Sequence, residues 1–400
     1  MLESINLYFS LGGLIICTAL FLCGLCSRLG YSRELLLVHL LTIVFSLVFA
    51  FRPMEIPDTI NYERYFYSVY NLSLNDVLDM LTLFGGRVYM GMEGGFLFVT
   101  WILAFITLGS FRLYLFIIAF TQITCFIYPM SRLINESFFD VPFKYHHRPS
   151  NNSIFSTELL LLLLYIPYYG YFYCGIVIRM GLTLSLIVTA LYLGKKKRYI
   201  YMVAVSLAAL MIHRMALLGI VAIIIYLVPF DIKSRKTYVV YGAVCAAIYC
   251  AGLYIDIFGT IGATLGEILR NTFFSDLTSY IDRALIGGGE RAVALKRLWD
   301  ILWFFILVFA SGFNTKGYRS FLKIYFVGLI LMLITAPISN SERITAYFFI
   351  CQVPLVYMAL EQGFVLFSMK KRGRIIFAIA YSMGAFLIVY RNIQYALNFL

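Results

Sequence analysis

A planar guanidinium can grip a phosphate with two parallel hydrogen bonds, and a carboxylate or imidazole can take a proton from a sugar hydroxyl. The chain of 400 residues presents such groups in a few places. Arg179 follows the aromatic stretch Tyr165 to Cys174 and opens an apolar run. Its charge there adds to the positive end of a helix, which suits a diphosphate; the alternative is an Arg that only reaches up to lipid headgroups. His213 and Arg214 join two short apolar segments. His213 can act as an acid or base or donate to phosphate while neutral, or it is satisfied by a backbone carbonyl. Pro53 and Pro57 fix an extended entry into Asp58, followed by Tyr62 and Tyr65. Asp58 is then a base for a sugar hydroxyl or the cap of a helix starting near Thr59. Tyr62, Tyr65, Tyr169 and Tyr173 offer faces for sugar rings. Arg270, Asp282, Arg283, Glu290, Arg291 and Arg297 surround Gly287-Gly288-Gly289, which makes either an anion-binding nest or a flexible turn in a loop closing over substrate. Ser339 to Arg343 (S-N-S-E-R), after Pro337, sets Glu342 and Arg343 at the mouth of another apolar run.

The elements that must position these residues are membrane helices. The chain is 62% hydrophobic and 13% charged, with mean hydropathy +0.87, and apolar runs recur along its whole length. Spans are expected at about 6–27, 34–51, 111–130, 157–173, 180–194, 199–212, 215–230, 237–258, 298–313, 321–336, 344–361 and 375–391. The expected fold is an all-α polytopic membrane protein of about twelve transmembrane helices, a single integral membrane domain over 1–400. The first apolar run lacks a basic leader and reads as a retained helix.

The run Gly95 to Gly109 decides the topology. If it crosses, Lys195-Lys196-Lys197-Arg198 and most later basic connectors face outward, against the positive-inside rule. If it lies on the outer surface as an interfacial helix, the inner connectors carry ten Lys and nine Arg. The outer side then carries twelve Arg and a single Lys, Lys296, so the side rich in Arg is the side on which phosphate recognition is expected. Both termini then face out. The outer loops are about 52–110, with amphipathic and interfacial helices, and about 259–297. The net charge of +12 is explained by membrane orientation rather than by nucleic acid. Several outer Arg could instead pair with outer acids. The four His have no metal spacing, and Cys23-x-x-Cys26 lies in an apolar helix without a partner pair. No cofactor is required by this reading, and a divalent metal is left open. No dinucleotide, phosphate-loop or serine-hydrolase signature occurs.

On the Asp58…Tyr62 element, on Arg179 with R-M-G-L-T-L-S-L, and on His213 in I-H-R-M-A-L, the chain resembles bacterial polysaccharide polymerases of the EpsG/Wzy type over roughly residues 50–230. S-E-R-I-T-A-Y-F (Ser341 to Phe348) is similar to a later Arg-plus-aromatics element of such chains. Met180 and Met215 stand where the family tends to have Gln and a hydroxyl residue. The outer loop with Asp58, Tyr62 and the interfacial run is also similar to the GT-C glycosyltransferase layout. The resemblance implies polymerisation of undecaprenyl-diphosphate-linked repeat units, as for O-antigen, capsule or exopolysaccharide, at the outer face of a bacterial inner membrane. Asp58 would be the catalytic base, and His213 would position phosphate or shuttle a proton. Arg179, Arg214, Arg343, Arg283 and Arg291 would hold diphosphate. Partners would be the lipid-linked oligosaccharides, membrane lipid and a chain-length regulator, with no nucleic acid. The rivals are another GT-C enzyme or O-antigen ligase, and a lipid-linked oligosaccharide flippase.

Overall fold

A computed structural model of the chain describes residues 2–25, 31–56, 58–80, 90–139, 156–252, 264, 267, 294–335, 341–362 and 371–397. Every regular element among them of more than a bridge is helical. In chain order these are α1 (Leu2–Leu25), α2 (Tyr31–Ala50), α3 (Thr59–Tyr70), α4 (Leu74–Met80), α5 (Gly94–Ile106), α6 (Phe111–Phe139) and α7 (Thr157–Tyr165). A π-helical segment, Ile166–Cys174, continues from α7 and leads to α8 (Ile178–Lys195), α9 (Tyr199–Ile212), α10 (Ala216–Leu227) and α11 (Arg235–Gly252). Then follow α12 (Ala294–Val308), a 3₁₀ turn (Ser311–Asn314), α13 (Lys316–Ile334), α14 (Ser341–Phe349), α15 (Gln352–Gln362) and α16 (Lys371–Leu397). Six helical stretches among the described residues are long and apolar enough to cross a membrane: Arg33–Ala50, Phe111–Glu136, Ile178–Lys195, Lys316–Ile334, Arg343–Gln362 and Gly373–Arg391. The protein is therefore built as a polytopic membrane protein. The loop expected at 259–297, with Arg283 and Arg291, lies almost wholly outside the described residues.

The chain divides into two compact units, one of Met1–Ile223 with Met369–Leu400 and one of Ile224–Ser368. The first unit carries most of the sequence-expected site. Its core gathers Tyr62, Tyr65, Phe66 and Val69 of α3, Phe96 and Leu97 of α5, Tyr114 and Ile118 of α6, Ile178 of α8 and Ile212 of α9. Aromatic rings make the joints: Tyr65 stacks on Phe96 at 5.7 Å, and Phe66 meets Tyr114 at 4.9 Å.

At 13 residues, α5 is about 20 Å long, well short of a hydrocarbon core of about 30 Å. It ends in a reversal in which Leu108 and Gly109 both take positive φ, after which Phe111 begins α6. At its other end, Gly95 lies directly on α9. A Cβ there would fall 2.6 Å from the carbonyl carbon and oxygen of Met211, so only glycine allows this approach. The start of α8 is packed as closely. Gln122 of α6 donates to the Ile178 carbonyl at 2.6 Å, and Gly181 abuts the Tyr173 carbonyl.

In the second unit, Arg319 forms a two-pronged pair with Asp231, Nε to Oδ1 at 2.8 Å and Nη2 to Oδ2 at 2.7 Å. The same guanidinium donates to the carbonyls of Phe313 and Asn314, fixing the turn before α13.

Candidate functional site

The close approach of α5 and α9 sets Glu93 against three partners. Glu93 is the N-cap residue of α5, extended in backbone (φ −70, ψ 151), and its carboxylate does not cap its own helix. Instead it reaches across to the first turn of α8 and to the end of α9. Arg179 Nη1 donates to Glu93 Oε2 and also to the Gly91 carbonyl at 3.1 Å. His213 Nδ1 lies 2.8 Å from Glu93 Oε1, and the Arg214 backbone N–H points at the same oxygen from 3.4 Å. His213 is the C-cap of α9 and is extended (φ −157, ψ 119), so the helix stops there and turns its side chain back toward α5. A reversal at Met90 and Gly91, both at positive φ, delivers Glu93 to this position.

The electrostatics follow from that geometry. Burial alone would raise the Glu93 carboxyl, but the hydrogen bond from His213 and the charges of Arg179 and His213 outweigh it and hold the group at about 2. Glu93 is thus ionised and can only accept. His213 must carry its proton on Nδ1 to make the observed bond, so in the neutral ring Nε2 is the basic nitrogen. Arg179 spends Nη1 on Glu93 and Gly91, and its Nε is buried with no hydrogen-bond partner. The cluster therefore offers an oriented imidazole beside a guanidinium with N–H groups to spare. That combination can move a proton and hold an anion.

Asp58 stands at the N-cap of α3, yet its carboxylate makes no capping bond. Its backbone is left-handed (φ 67, ψ −14), a region Asp tolerates better than most residues. The helix start expected near Thr59 is there, while the side chain, half buried, is not used to cap it. Arg52 and Arg112 brace this corner. Arg52 Nε donates to Thr59 Oγ1 at 3.0 Å and Nη1 to the Cys174 carbonyl at 3.0 Å. Arg112 Nη1 donates to the carbonyls of Ala50 and Arg52, both at 2.8 Å. Tyr62 is close enough to feel the charge of both Arg52 and Arg179.

Of the residues expected from sequence, the structure brings Arg179, His213 and the Arg214 backbone together through Glu93. Tyr62, Tyr65, Tyr169 and Tyr173 are buried: Tyr65 lies on Phe96, and Tyr169 stacks on Tyr173 at 5.9 Å within the π-helical segment. Their rings pack the interior instead of lying open to a sugar. Arg343 is half buried at the start of α14, in the second unit. Arg283 and Arg291 lie outside the described residues. Glu93 is the residue that sequence reasoning missed as a site member. Its signal was a lone acid directly before Gly94-Gly95 at the start of an apolar run. Among the described residues, no group of three or more His, Cys, Asp or Glu is placed to hold a metal ion.

Compared with protein families, the sequence matches the EpsG family over residues 35–400, well beyond the stretch that carries the motifs. Comparison with curated proteins and with solved structures finds no match.

Proposed function

The chain belongs to the EpsG family, a family of Wzy-type polysaccharide polymerases, and from that premise we propose that it joins undecaprenyl-diphosphate-linked oligosaccharide repeat units by glycosyl transfer at the outer face of a bacterial inner membrane. In this reading the chain crosses about twelve times in a GT-C-like layout, with α5 lying along the outer surface. The observation that carries the chemistry is the Glu93 carboxylate clasping both Arg179 and His213.

The donor is a growing saccharide on a lipid diphosphate, and the acceptor is a hydroxyl of the next lipid-linked unit. His213 Nε2 takes the proton of the attacking hydroxyl while Glu93 steadies the imidazole and the charge it gains. The acceptor oxygen bonds to the anomeric carbon, the bond from that carbon to the diphosphate oxygen breaks, and the electron pair leaves with the diphosphate. Arg179 faces the developing charge with Nε and its remaining N–H groups, helped by the positive end of α8 and by Arg214. Arg343, Arg283 and Arg291 remain further ligands for the lipid diphosphates. Asp58, expected from sequence as the base, is assigned to orienting the acceptor sugar, because the Glu93–His213 pair supplies a nitrogen of fixed tautomer for the proton. Sugar stacking on Tyr62 would require α3 to part from α5.

Extension of a purified lipid-linked repeat unit by the reconstituted protein tests this. Wild type is expected to build multi-repeat product. Arg179→Ala and His213→Ala are expected to slow extension by about a hundredfold or more, the range for losing one charge-stabilising or proton-transferring group. Normal extension by both Arg179→Ala and Arg214→Ala would sink the diphosphate assignment.

A further inference from the structure

The second unit carries a charge arrangement that the polymerase chemistry does not use. Two connectors, 228–237 (V-P-F-D-I-K-S-R-K-T) and 311–323 (S-G-F-N-T-K-G-Y-R-S-F-L-K), hold six basic residues between them and a single acid, Asp231. The charge pattern of the sequence assigns both connectors to the inner side. The structure ties them into one surface. Arg319 takes both oxygens of Asp231, and Lys323 Nζ donates to the carbonyls of Val228 and Phe230 at 2.9 Å each. Arg235 Nη2 donates to the Ala310 carbonyl at 3.2 Å, and its guanidinium lies over the Phe313 ring.

The other three cations, Lys233, Lys236 and Lys316, are exposed. Lys233 stands two residues beyond Asp231, and Lys316 lies one helical turn before the Arg319 that grips it. Helix polarity sharpens the imbalance. α11 opens on Arg235 and Lys236, and α13 has Lys316 and Arg319 in its first turn. The N-terminal end of a helix already carries partial positive charge and disfavours cations. Two positive helix ends and three exposed ammonium groups thus share a surface whose one acid is held by Arg319. What complements it is an anion, and exposed lysines receive one from outside with no cavity to enter.

We propose that Lys233, Lys236 and Lys316 hold the anionic headgroup of a membrane phospholipid whose chains lie along α11. What adjoins the lysines favours a lipid over a soluble anion or an acidic protein segment. Lys236, Val240, Val244 and Ile248 follow at four-residue spacing on one stripe of α11, and all are exposed. The apolar part of that stripe is about 12 Å long. Phe230, 65% exposed, adds apolar surface next to Asp231. Positive charge at the foot of an exposed apolar stripe matches a headgroup with its chain, whereas a soluble anion would leave the stripe uncovered. The inference goes beyond the polymerase reading and does not rest on it.

The test is lipid binding by the full chain, purified and delipidated in mild detergent, with native mass spectrometry reading the first lipid bound. Phosphatidylglycerol is the anionic probe and phosphatidylethanolamine the zwitterionic one. Wild type is expected to prefer phosphatidylglycerol clearly. Lys233→Gln, Lys236→Gln and Lys316→Gln together should weaken phosphatidylglycerol binding by about a hundredfold, about fivefold for each charge. Should that variant fail to fold, Lys236→Gln alone, expected to bind about fivefold more weakly, decides. Lys195→Gln, Lys197→Gln and Arg198→Gln together remove as much charge from another connector assigned to the inner side, and should leave the affinity unchanged. Equal affinity of wild type for the two lipids, unchanged affinity in the patch variant, or the same loss from both triple variants overturns the site. Displacement of phosphatidylglycerol by glycerol 3-phosphate at equal concentration overturns the lipid assignment in favour of a soluble anion. Displacement by polyglutamate overturns it in favour of an acidic protein segment. None of the substituted residues belongs to the Glu93 cluster, so this site and the polymerase reading fail separately.

Discussion

Gly95→Ala adds one methyl group at the contact that brings Glu93 to His213, and its consequences can be worked from distances. The new carbon would sit 2.6 Å from the carbonyl carbon and oxygen of Met211, where ordinary contact begins near 3.4 Å. These are main-chain atoms of a helix and cannot swing aside as a side-chain tip could. The start of α5 must therefore retreat from α9 by about 0.8 Å. The His213–Glu93 bond, now 2.8 Å, would lengthen to about 3.6 Å and cease to be a hydrogen bond. One effect on stability opposes two others. Alanine is favoured over glycine inside a helix by about 1 kcal/mol. Overpacking costs about 1–3 kcal/mol, and loss of a charge-assisted bond about 1.5–3 kcal/mol. The net change is destabilising, by about 2 kcal/mol or more. A misplacement of about 1 Å in a catalytic group can cost about a hundredfold in rate. Thermal unfolding in detergent and extension of a lipid-linked repeat unit measure both. A Gly95→Ala protein as stable as wild type, or more so, and equally active would refute the claim that this glycine holds the site together.

Three further outcomes are expected. The Glu93 carboxyl is held below its usual 4.5, at about 2, so its contribution is fully present above about pH 4.5 and is lost as pH falls through about 2. The stability difference between wild type and Glu93→Gln, on the order of 3 kcal/mol at neutral pH, should therefore shrink only below pH 4.5; a difference flat down to pH 2 argues against an ionised Glu93. Asp58→Asn should keep the left-handed backbone and unfold as wild type does, with reduced extension, whereas Asp58→Ala should also lose about 1 kcal/mol from placing alanine at positive φ; full extension by the Asn variant removes Asp58 from the site. Arg319→Lys cannot reproduce the fork to Asp231 and the two carbonyl bonds, so it should lower stability by about 2–3 kcal/mol; calorimetry showing no change would mean the pair is not a structural clamp.

Much of the fold was legible because apolar runs in a membrane chain leave little choice of structure: each of the twelve expected runs coincides with helix among the described residues. Ends were less so. The run expected at 111–130 continues to Phe139 despite Pro129, and the one at 344–361 breaks between Phe349 and Gln352. The π-helical turn from Ile166 to Cys174 could not be read, since Pro167 and a string of tyrosines are compatible with a loop as well as with a widened helix. The same tyrosines look like sugar platforms in sequence because an aromatic ring serves packing and stacking equally. Burial decides between those uses, and burial is a property of neighbours far along the chain.

The site was half legible for a related reason. Arg179 and His213 stood out because a charge interrupting an apolar run is costly and so draws attention wherever it occurs. Glu93 did not, because a single acid just ahead of an apolar run reads as an ordinary boundary residue, and 86 residues separate it from Arg179 and 120 from His213. What joins them is the missing side chain at Gly95, where the start of a short helix touches the end of another. Residue types and spacing single out Arg179 and His213. The carboxylate that bonds both is found only after asking which two backbones a glycine allows to touch.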